Sequence, residues 1–244
     1  MRFSDLEGAA IGVWGAGREI AAFATQARRR LPRARIVAAA FDTPPDAAAL
    51  ERLQAPAARV GTGSDAASVL VGCDVLVRSP GVSIHRSDLA ELREGGLPTT
   101  TATALWLAER GGAGVIGVTG TKGKSTTAAL ACHLARAAGR PARLAGHIGR
   151  PAIELLDGEA GDPDVVELSS YQTADMQTGP EVAVVTNLYR EHVDWHGSEE
   201  TYRSEKLRLL ALPGLRTRVL NATDPVLAAL ARPEAVSYTH LTLP

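Results

Sequence analysis

The stretch that decides the fold is Ala113–Thr126, with the sequence AGVIGVTGTKGKST. The apolar run Ala113–Val118 predicts a buried strand, and helical periodicity over Ser125–Ala138 predicts a helix that ends at Gly139. A glycine-rich loop between a strand and a helix presents backbone N–H groups and a helix N-terminus together, which is how proteins hold polyphosphate. The sequence therefore predicts a nucleotide-binding α/β domain.

Within this loop, Lys124 is placed to reach the outer phosphates of a nucleotide, and the Ser125 hydroxyl is placed to contact a magnesium ion. The strict P-loop pattern is not met, because its first glycine would fall at Val118. An ordinary glycine-rich turn before a helix is the alternative. The predicted ATP-binding residues are Gly120, Thr121, Lys122, Gly123, Lys124, Ser125 and Thr126.

The N-terminal part alternates between predicted strands and a helix, at Ala10–Trp14, Arg18–Arg30, Arg35–Phe41 and Asp74–Arg78. Such alternation predicts a parallel sheet with helices on its faces. A glycine turn follows the first strand, but the third glycine of a dinucleotide fingerprint is replaced by Ile20. This weakens the case for a nicotinamide cofactor, while the turn remains suited to a diphosphate.

The second part of the chain continues the same alternation. Strands are predicted at Val165–Leu168, Val182–Thr186 and Arg218–Asn221, and helices at Glu199–Leu212 and Asp224–Ala231. The predicted fold class is α/β: a Rossmann-like domain over residues 1–111, followed by an incomplete P-loop-type parallel-sheet ATPase domain over residues 112–236. We expect a hinge near Gly111. Residues 237–244 lack the high alanine and arginine content of the preceding sequence, and we expect them to be a foreign tail on a truncated chain.

Charge and composition indicate which partners and which cellular location to expect for this protein. The formal net charge of −1 gives no sign of a nucleic-acid or membrane partner, and from the pattern of apolar residues we expect neither a signal peptide nor a membrane-spanning run. We therefore expect a cytoplasmic protein. We also expect a monomer. The two cysteines, Cys73 and Cys132, are predicted to be buried free thiols.

Lysine usage singles out three positions. Of the 26 basic residues, only Lys122, Lys124 and Lys206 are lysine, and the others are arginine. Because arginine serves wherever a generic positive charge suffices, the three lysines are candidates for chemistry that a guanidinium cannot perform. Two of them lie in the glycine-rich loop, and Lys206 needs a separate explanation.

Three further segments, together with the TGTKGKST loop, resemble motifs of the Mur ligase family, in particular its MurD-type branch. They are ELSSYQ at 167–172, NLYREHVDWHG at 187–197 and YRSEK at 202–206. The related folylpolyglutamate synthases carry the ATP loop near the N-terminus, whereas here a full α/β unit precedes it. MurC-type ligases carry GTHGKTT in the loop, so they match less well.

The resemblance implies ATP and two magnesium ions as cofactors. Ser125 and Glu167 would hold one ion, and His192 and Lys206 the other, with Lys206 carbamoylated by CO₂ so that it becomes an anionic ligand. Lys124, His192 and Lys206 are accordingly the predicted catalytic residues. Glu191 stands where the family usually has aspartate.

The resemblance also implies a UDP-sugar site in the N-terminal domain. The predicted substrate-binding residues are Gly15, Ala16, Gly17, Asp42, Thr43, Ser79, His147 and Ser169, where Asp42-Thr43 is expected near the uracil and Ser79-Pro80-Gly81 near the diphosphate. His147 replaces the asparagine of the family's G-N-I-G turn.

The implied activity is the ATP-dependent addition of glutamate to UDP-N-acetylmuramoyl-L-alanine through an acyl phosphate, in the synthesis of peptidoglycan precursors for the cell wall. D-glutamate is favoured, and L-glutamate addition is the alternative. A glutamate-binding C-terminal domain would lie beyond this chain, so we expect the chain alone to be inactive. The alternatives from other classes are a non-catalytic nucleotide-binding subunit and a nicotinamide-dependent dehydrogenase.

Overall fold

A computed structural model describes residues 1–147, 149–158 and 161–230, and these residues form two compact units. The first unit contains Met1–Arg110 and also Pro151–Gly158, and the second contains Gly111–Arg150 and the residues from 159 onward. The boundary at Arg110 lies next to the predicted hinge. The short segment Pro151–Gly158 was expected in the second domain, but its contacts are with the first unit.

The first unit is a five-stranded parallel sheet with the strand order β3-β2-β1-β4-β5. Its elements are β1 (Ala10–Trp14), α1 (Arg18–Arg30), β2 (Arg35–Phe41), α2 (Ala47–Leu53), β3 (Arg59–Thr62), β4 (Val75–Arg78), α3 (Ser87–Glu94), β5 (Thr99–Thr100) and α4 (Ala102–Arg110). The chain order reverses beside β1, so the carboxyl ends of β1 and β4 border a crevice of the kind in which open α/β sheets bind ligands.

One core cluster of this unit packs against the three central strands β2, β1 and β4. It contains Trp14, Leu70, Leu76, Leu89 and Leu97, all buried. The central strands β1 and β4 are covered on both faces, so both sets of alternating side chains on them are mostly apolar. The segment Ala152–Asp157 is held to α1 by ion pairs of Asp157 with Arg29 and Arg30.

The second unit is a separate five-stranded parallel sheet with the order β10-β9-β6-β8-β7. Its elements are β6 (Val115–Thr119), α5 (Lys124–Ala137), β7 (Arg143–Gly146), β8 (Asp164–Glu167), α6 (Ser170–Thr173), β9 (Val182–Val185), α7 (Val193–His196), α8 (Glu199–Leu207), β10 (Thr217–Leu220) and α9 (Pro225–Ala228). The central strand β6 leads directly into the glycine-rich loop, and β8 and β9 flank it. The carboxyl ends of three neighbouring strands therefore surround the loop.

These sheets confirm the predicted α/β class with two parallel-sheet domains. Cys73 and Cys132 are buried free thiols, as predicted. The predicted tail, residues 237–244, lies outside the described residues. Among the described helices, none is both long and apolar enough to cross a lipid bilayer.

Candidate active site

The loop after β6 depends on two glycines with positive φ. Gly120 has φ +143°, and a Cβ atom there would clash with Thr186 Oγ1, so no side chain fits without displacement. Gly123 has φ +80° and precedes the first residue of α5. The left-handed conformation of Gly123 turns the chain into the helix, and a residue with a Cβ would be strained there.

The loop backbone is fixed by side chains that follow β9. The Lys122 N–H donates to Asn187 Oδ1 at 2.8 Å, and the Lys122 carbonyl accepts from Thr186 Oγ1 at 2.7 Å and Asn187 Nδ2 at 3.0 Å. The Thr121 hydroxyl lies 2.7 Å from the Tyr202 hydroxyl, which joins the loop to α8. The loop is therefore held in one conformation from two sides.

Ser125 and Glu167 form a cluster of oxygen atoms beside this loop. Ser125 is exposed in the first turn of α5, and its Oγ donates to Glu167 Oε2 at 3.0 Å. Glu167 ends β8 and is 4% exposed. A hydroxyl and a carboxylate in contact at the edge of a phosphate loop are the hard oxygen donors that Mg²⁺ prefers, so this donor set fits the predicted ion.

Lys206 lies inside the second unit with its amino group against the loop. It is 1% exposed, Nζ donates to the Gly120 carbonyl at 2.9 Å, and Nζ lies 4.9 Å from the centroid of the Tyr202 ring. Burial, and then the charge of Lys124, lower the pKa of Lys206 to about 7. A large fraction of this amine is therefore neutral near neutral pH, which is the form that can act as a nucleophile.

Lys124 begins α5 with its amino group 3.0 Å from the Thr121 carbonyl. Burial lowers the pKa of Lys124, against the opposing effect of the Glu167 and Glu191 carboxylates. Lys122 pairs with Glu191. Burial would raise the pKa of Glu191, but the hydrogen bond from Lys122 and the neighbouring positive charges lower it. The predicted acid at 191 therefore faces the loop.

His192 adopts a left-handed backbone conformation, with φ +56°, which is unusual for a residue with a side chain. Its Nδ1 lies 2.8 Å from the Tyr171 hydroxyl, and its Nε2 lies 3.5 Å from Glu191 Oε2. Tyr171 in turn stacks on Trp195, with ring centroids 4.6 Å apart. The imidazole thus has one nitrogen engaged by a phenol and the other beside a carboxylate, an arrangement suited to holding a cation at Nε2.

A second histidine of the same motif, His196, is buried and has both ring nitrogens engaged within the protein. His196 is 2% exposed, and its Nδ1 pairs with Glu205 while its Nε2 lies 2.9 Å from Ser170 Oγ. It connects α6, α7 and α8, and thereby supports both Tyr171 and Lys206.

The two substrate-binding predictions in the second unit fall beside Glu167. The His147 N–H donates to the Glu167 carbonyl at 3.0 Å, and its side chain is exposed. Ser169 caps α6 in a capping box with Gln172, so its hydroxyl already bonds within the protein.

The crevice of the first unit contains the other predicted substrate-binding residues. Gly15 has φ +88°, and a Cβ there would lie 3.1 Å from Ser79 Cβ, so the turn after β1 and the turn after β4 approach closely. Arg78 stabilises the turn at Ser79. It is fully buried, and its guanidinium donates to the carbonyls of Pro80 at 3.2 Å and Val82 at 2.9 Å. Gly17 caps α1, so a helix N-terminus faces this turn.

The remaining predicted positions lie at the same edge of the first sheet. The Ala16 carbonyl accepts from Arg52 Nε at 3.3 Å. Asp42 and Thr43 follow β2, and both are exposed. Asp42 Oδ1 accepts from Trp14 Nε1 at 3.3 Å and from Arg86 Nη1 at 2.6 Å.

Sequence reasoning missed several residues that build these sites. The motifs quoted above contain Tyr171, Asn187 and Tyr202, but the sequence did not indicate which residues these side chains contact. Arg86 belongs to no motif, and only the fold brings it to the end of β2. No sequence signal marked it.

Comparison with known proteins gives the same family as the motifs. Residues 118–242 match the Mur ligase middle domain family. Curated relatives from Xanthomonas euvesicatoria and Salinispora tropica are 42% and 44% identical, with 96% and 94% of this chain covered. Both relatives are named UDP-N-acetylmuramoyl-L-alanine–L-glutamate ligase. The chain spans about half of their length, 52% and 50% respectively.

Solved structures share the fold. The chain resembles UDP-N-acetylmuramate:L-alanyl-gamma-D-glutamyl-meso-diaminopimelate ligase from Neisseria meningitides with a TM-score of 0.54 at 21% identity, covering 94% of this chain and 76% of the other. It resembles UDP-N-acetylmuramate-alanine ligase from Thermotoga maritima with a TM-score of 0.51 at 19% identity, covering 91% and 51%. With half of its length matched to the middle domain, the chain belongs to the Mur ligase family.

Proposed function

We propose that the protein is an ATP-dependent, ADP-forming ligase that joins glutamate to the alanine carboxyl group of UDP-N-acetylmuramoyl-L-alanine in peptidoglycan synthesis. We take L-glutamate as the isomer, since the names of the relatives from Xanthomonas and Salinispora specify it. This replaces the D isomer favoured from sequence. The observation that carries the proposal is the grouping of Ser125, Glu167 and Lys206 around one phosphate loop.

The nucleotide half of the reaction follows from the loop. Backbone N–H groups at the start of α5, from Gly123 onward, would hold the phosphates of ATP, and the Lys124 ammonium would neutralise charge on the transferring phosphoryl group. The alanine carboxylate attacks the γ-phosphorus, and ADP leaves. The amino group of glutamate then attacks the acyl phosphate, an amide forms, and inorganic phosphate leaves.

Two magnesium ions fit the donor atoms of the second unit. Ser125 and Glu167 would hold one, and His192 with carbamoylated Lys206 would hold the other. When bound, the ions supply electrostatic stabilisation of the phosphate oxygens. The buried amine of Lys206 would add CO₂, lose a proton and become a carbamate, which is a step open to a neutral amine and closed to a guanidinium.

The UDP part of the substrate would bind the first unit. The turn Gly15–Gly17 and the N-terminus of α1 would face the diphosphate, together with Ser79, and Asp42 with Thr43 would face the base. His147 and Ser169 remain proposed contacts to the sugar end of the substrate. We propose a cytoplasmic, monomeric enzyme.

The test is ATP-dependent phosphate release by the full gene product with UDP-N-acetylmuramoyl-L-alanine, offering L-glutamate and D-glutamate in separate reactions. Release with L-glutamate alone supports the proposal. Release with D-glutamate alone restores the isomer favoured from sequence. Absence of release with both isomers, in a folded protein that binds ATP, would overturn the assigned substrates.

A further inference from the structure

Arg86 lies at the carboxyl end of the first sheet, beside the proposed site for the base of the nucleotide-sugar. Its Cζ lies 4.6 Å from the centroid of the Trp14 ring. Trp14 is fully buried, whereas the side chain of Arg86 remains 30% exposed. The guanidinium thus covers the indole and keeps a part of its own surface toward solvent.

The edge of this guanidinium is engaged by two carboxylates. Nε and Nη2 donate to Asp88 at 3.0 Å and 2.8 Å, and Nη1 donates to Asp42 at 2.6 Å. Hydrogen bonds to Asp88 raise the pKa of Arg86 above its ordinary value, against the opposing effect of burial and with a further contribution from Asp42. Three of the guanidinium N–H groups are already hydrogen-bonded, and one face of the group lies on the Trp14 ring. The opposite face is therefore the part best placed to receive a ligand.

Asp42 is oriented by the same contacts. Its Oδ1 accepts from both Trp14 Nε1 and Arg86 Nη1, while its side chain is 55% exposed. The Asp42 carboxylate is therefore partly exposed at the edge of a flat cationic surface. A planar group with an N–H donor on its rim matches this pairing of a face and an acceptor.

We propose that Arg86, backed by Trp14 and oriented by Asp88, is a stacking platform for the pyrimidine base of a uridine diphosphate. The base lies on the guanidinium face, and its imide N–H donates to Asp42. Arginine planes commonly stack on nucleobases, and such stacking tolerates different bases, whereas the hydrogen bond to the Asp42 carboxylate requires an N–H donor at the ring position that faces it. This inference rests on the proposed function, since it assigns a residue to the UDP site.

The chemistry predicts a particular ligand preference. Uracil carries an N–H at the ring position where cytosine carries an acceptor nitrogen. Cytosine would therefore place a lone pair against the Asp42 carboxylate, and a cytidine nucleotide should bind more weakly than its uridine counterpart.

The test is isothermal titration of the chain with UDP and with CDP, comparing the wild type with Arg86→Lys, Arg86→Ala and Asp88→Asn. Lysine keeps a positive charge for Asp42 but has no planar face. We expect Arg86→Lys and Arg86→Ala each to weaken UDP binding about tenfold or more, from the loss of stacking. Asp88→Asn, which loosens the platform without removing it, should weaken UDP binding less.

Controls separate stacking from folding and from the proposed function. Arg28→Lys, on the exposed side of α1, should bind UDP as the wild type does, and thermal unfolding should be similar for Arg86→Lys and the wild type. Equal UDP affinity in Arg86→Lys and the wild type would overturn the platform. If the folded wild type binds neither UDP nor CDP, the proposed UDP site itself fails, and the platform falls with it.

Discussion

The Lys206 amino group lies 2.9 Å from the carbonyl oxygen of Gly120, so a side chain from α8 contacts the backbone of the phosphate loop. The contact is buried, because Lys206 is 1% exposed. Burial of this amine costs free energy, since desolvation penalises its charged form, and such a group beside a nucleotide loop is a candidate for a functional role. The relationship therefore makes Lys206 the residue whose replacement tests the mechanism most directly.

Replacing Lys206 with alanine should reduce ligase turnover about 100-fold or more, because an anionic metal ligand would be lost. Acetate or another small carboxylate should restore part of the rate by occupying the space of the carbamate. The measurement is phosphate release by the full gene product with and without acetate. Arg203→Lys, one turn earlier on α8, is the matched control and should retain activity. Unchanged turnover in Lys206→Ala would remove the carbamate from the mechanism.

The lowered pKa of Lys206 predicts how the stability of the chain changes with pH. Its pKa is about 7 in the folded state, whereas that of an unfolded lysine is about 10.4. Between these values the unfolded chain binds more protons than the folded chain, so this residue makes the free energy of unfolding increase with pH. Below pH 7 both states are protonated, and the penalty for burying the charge is fully present.

The corresponding measurement is the thermal unfolding midpoint of the metal-free chain at pH 7 and pH 9, for the wild type and Lys206→Met. The wild type should gain stability over this interval, and Lys206→Met should gain less, because methionine carries no ionisable group. Burial also lowers the pKa values of Lys124 and His192. The prediction is therefore tested by the difference in pH dependence between the wild type and Lys206→Met, and not by the slope of the wild type alone. Parallel pH dependence in both proteins would contradict the prediction.

The sequence predicted the fold wherever periodicity and turn residues agreed. The bounds predicted for β1, α1 and β2 match the structure, because turn-forming residues lie next to them or within three residues of their ends: Gly15 after β1, Gly17 before α1 and Pro44 after β2. The short elements α2 and β3 escaped prediction, since they are brief and mostly exposed. The predicted helix Glu199–Leu212 ends earlier, at Leu207, and a 3-10 turn follows over Arg208–Ala211.

The candidate site was predictable to the level of residue type and not of contact. The resemblance to the Mur ligase motifs implied that Ser125 and Glu167 belong to one site, but the 3.0 Å hydrogen bond between them depends on the adjacency of β6 and β8. The sequence did not indicate a role for Arg86, because its contact with Asp42 joins residues 44 positions apart and forms only in the tertiary structure. Local patterns carry no information about such pairs.

Glu167→Gln should weaken nucleotide binding only when magnesium is present. The amide keeps the size of the side chain and can still accept from Ser125, but it loses the charge that favours a divalent cation. We expect the affinity for ADP with Mg²⁺ to fall about tenfold or more, which corresponds to ~1.4 kcal/mol, and the affinity in EDTA to stay constant. Calorimetric titrations in the two buffers measure this difference. A similar loss in EDTA would mean that Glu167 acts on the loop and not on a cation.

Tyr171→Phe should alter the tautomer of His192. The phenol lies 2.8 Å from His192 Nδ1, and a partner on one ring nitrogen decides which nitrogen carries the proton. We expect the long-range ¹H–¹⁵N spectrum of the metal-free chain to show one dominant tautomer for His192 in the wild type and a mixture in Tyr171→Phe. Affinity for Mn²⁺ in the presence of ADP should fall severalfold in the variant. If the His192 spectrum is identical in the two proteins, Tyr171 does not orient the ring.

Gly120→Ala should abolish nucleotide binding with a smaller effect on the fold. A Cβ at residue 120 would clash with Thr186 Oγ1, and the φ of +143° is itself unfavourable for alanine. Relief of the clash requires the loop to move away from Thr186 and Asn187, which hold the Lys122 backbone. The matched control is Gly139→Ala, after α5, where φ is +77° but no atom lies within 4 Å of the added Cβ. Both variants carry backbone strain, so the difference in their ADP affinity isolates the position of the loop. Equal affinities in the two variants would show that the contact with Thr186 does not determine the nucleotide site.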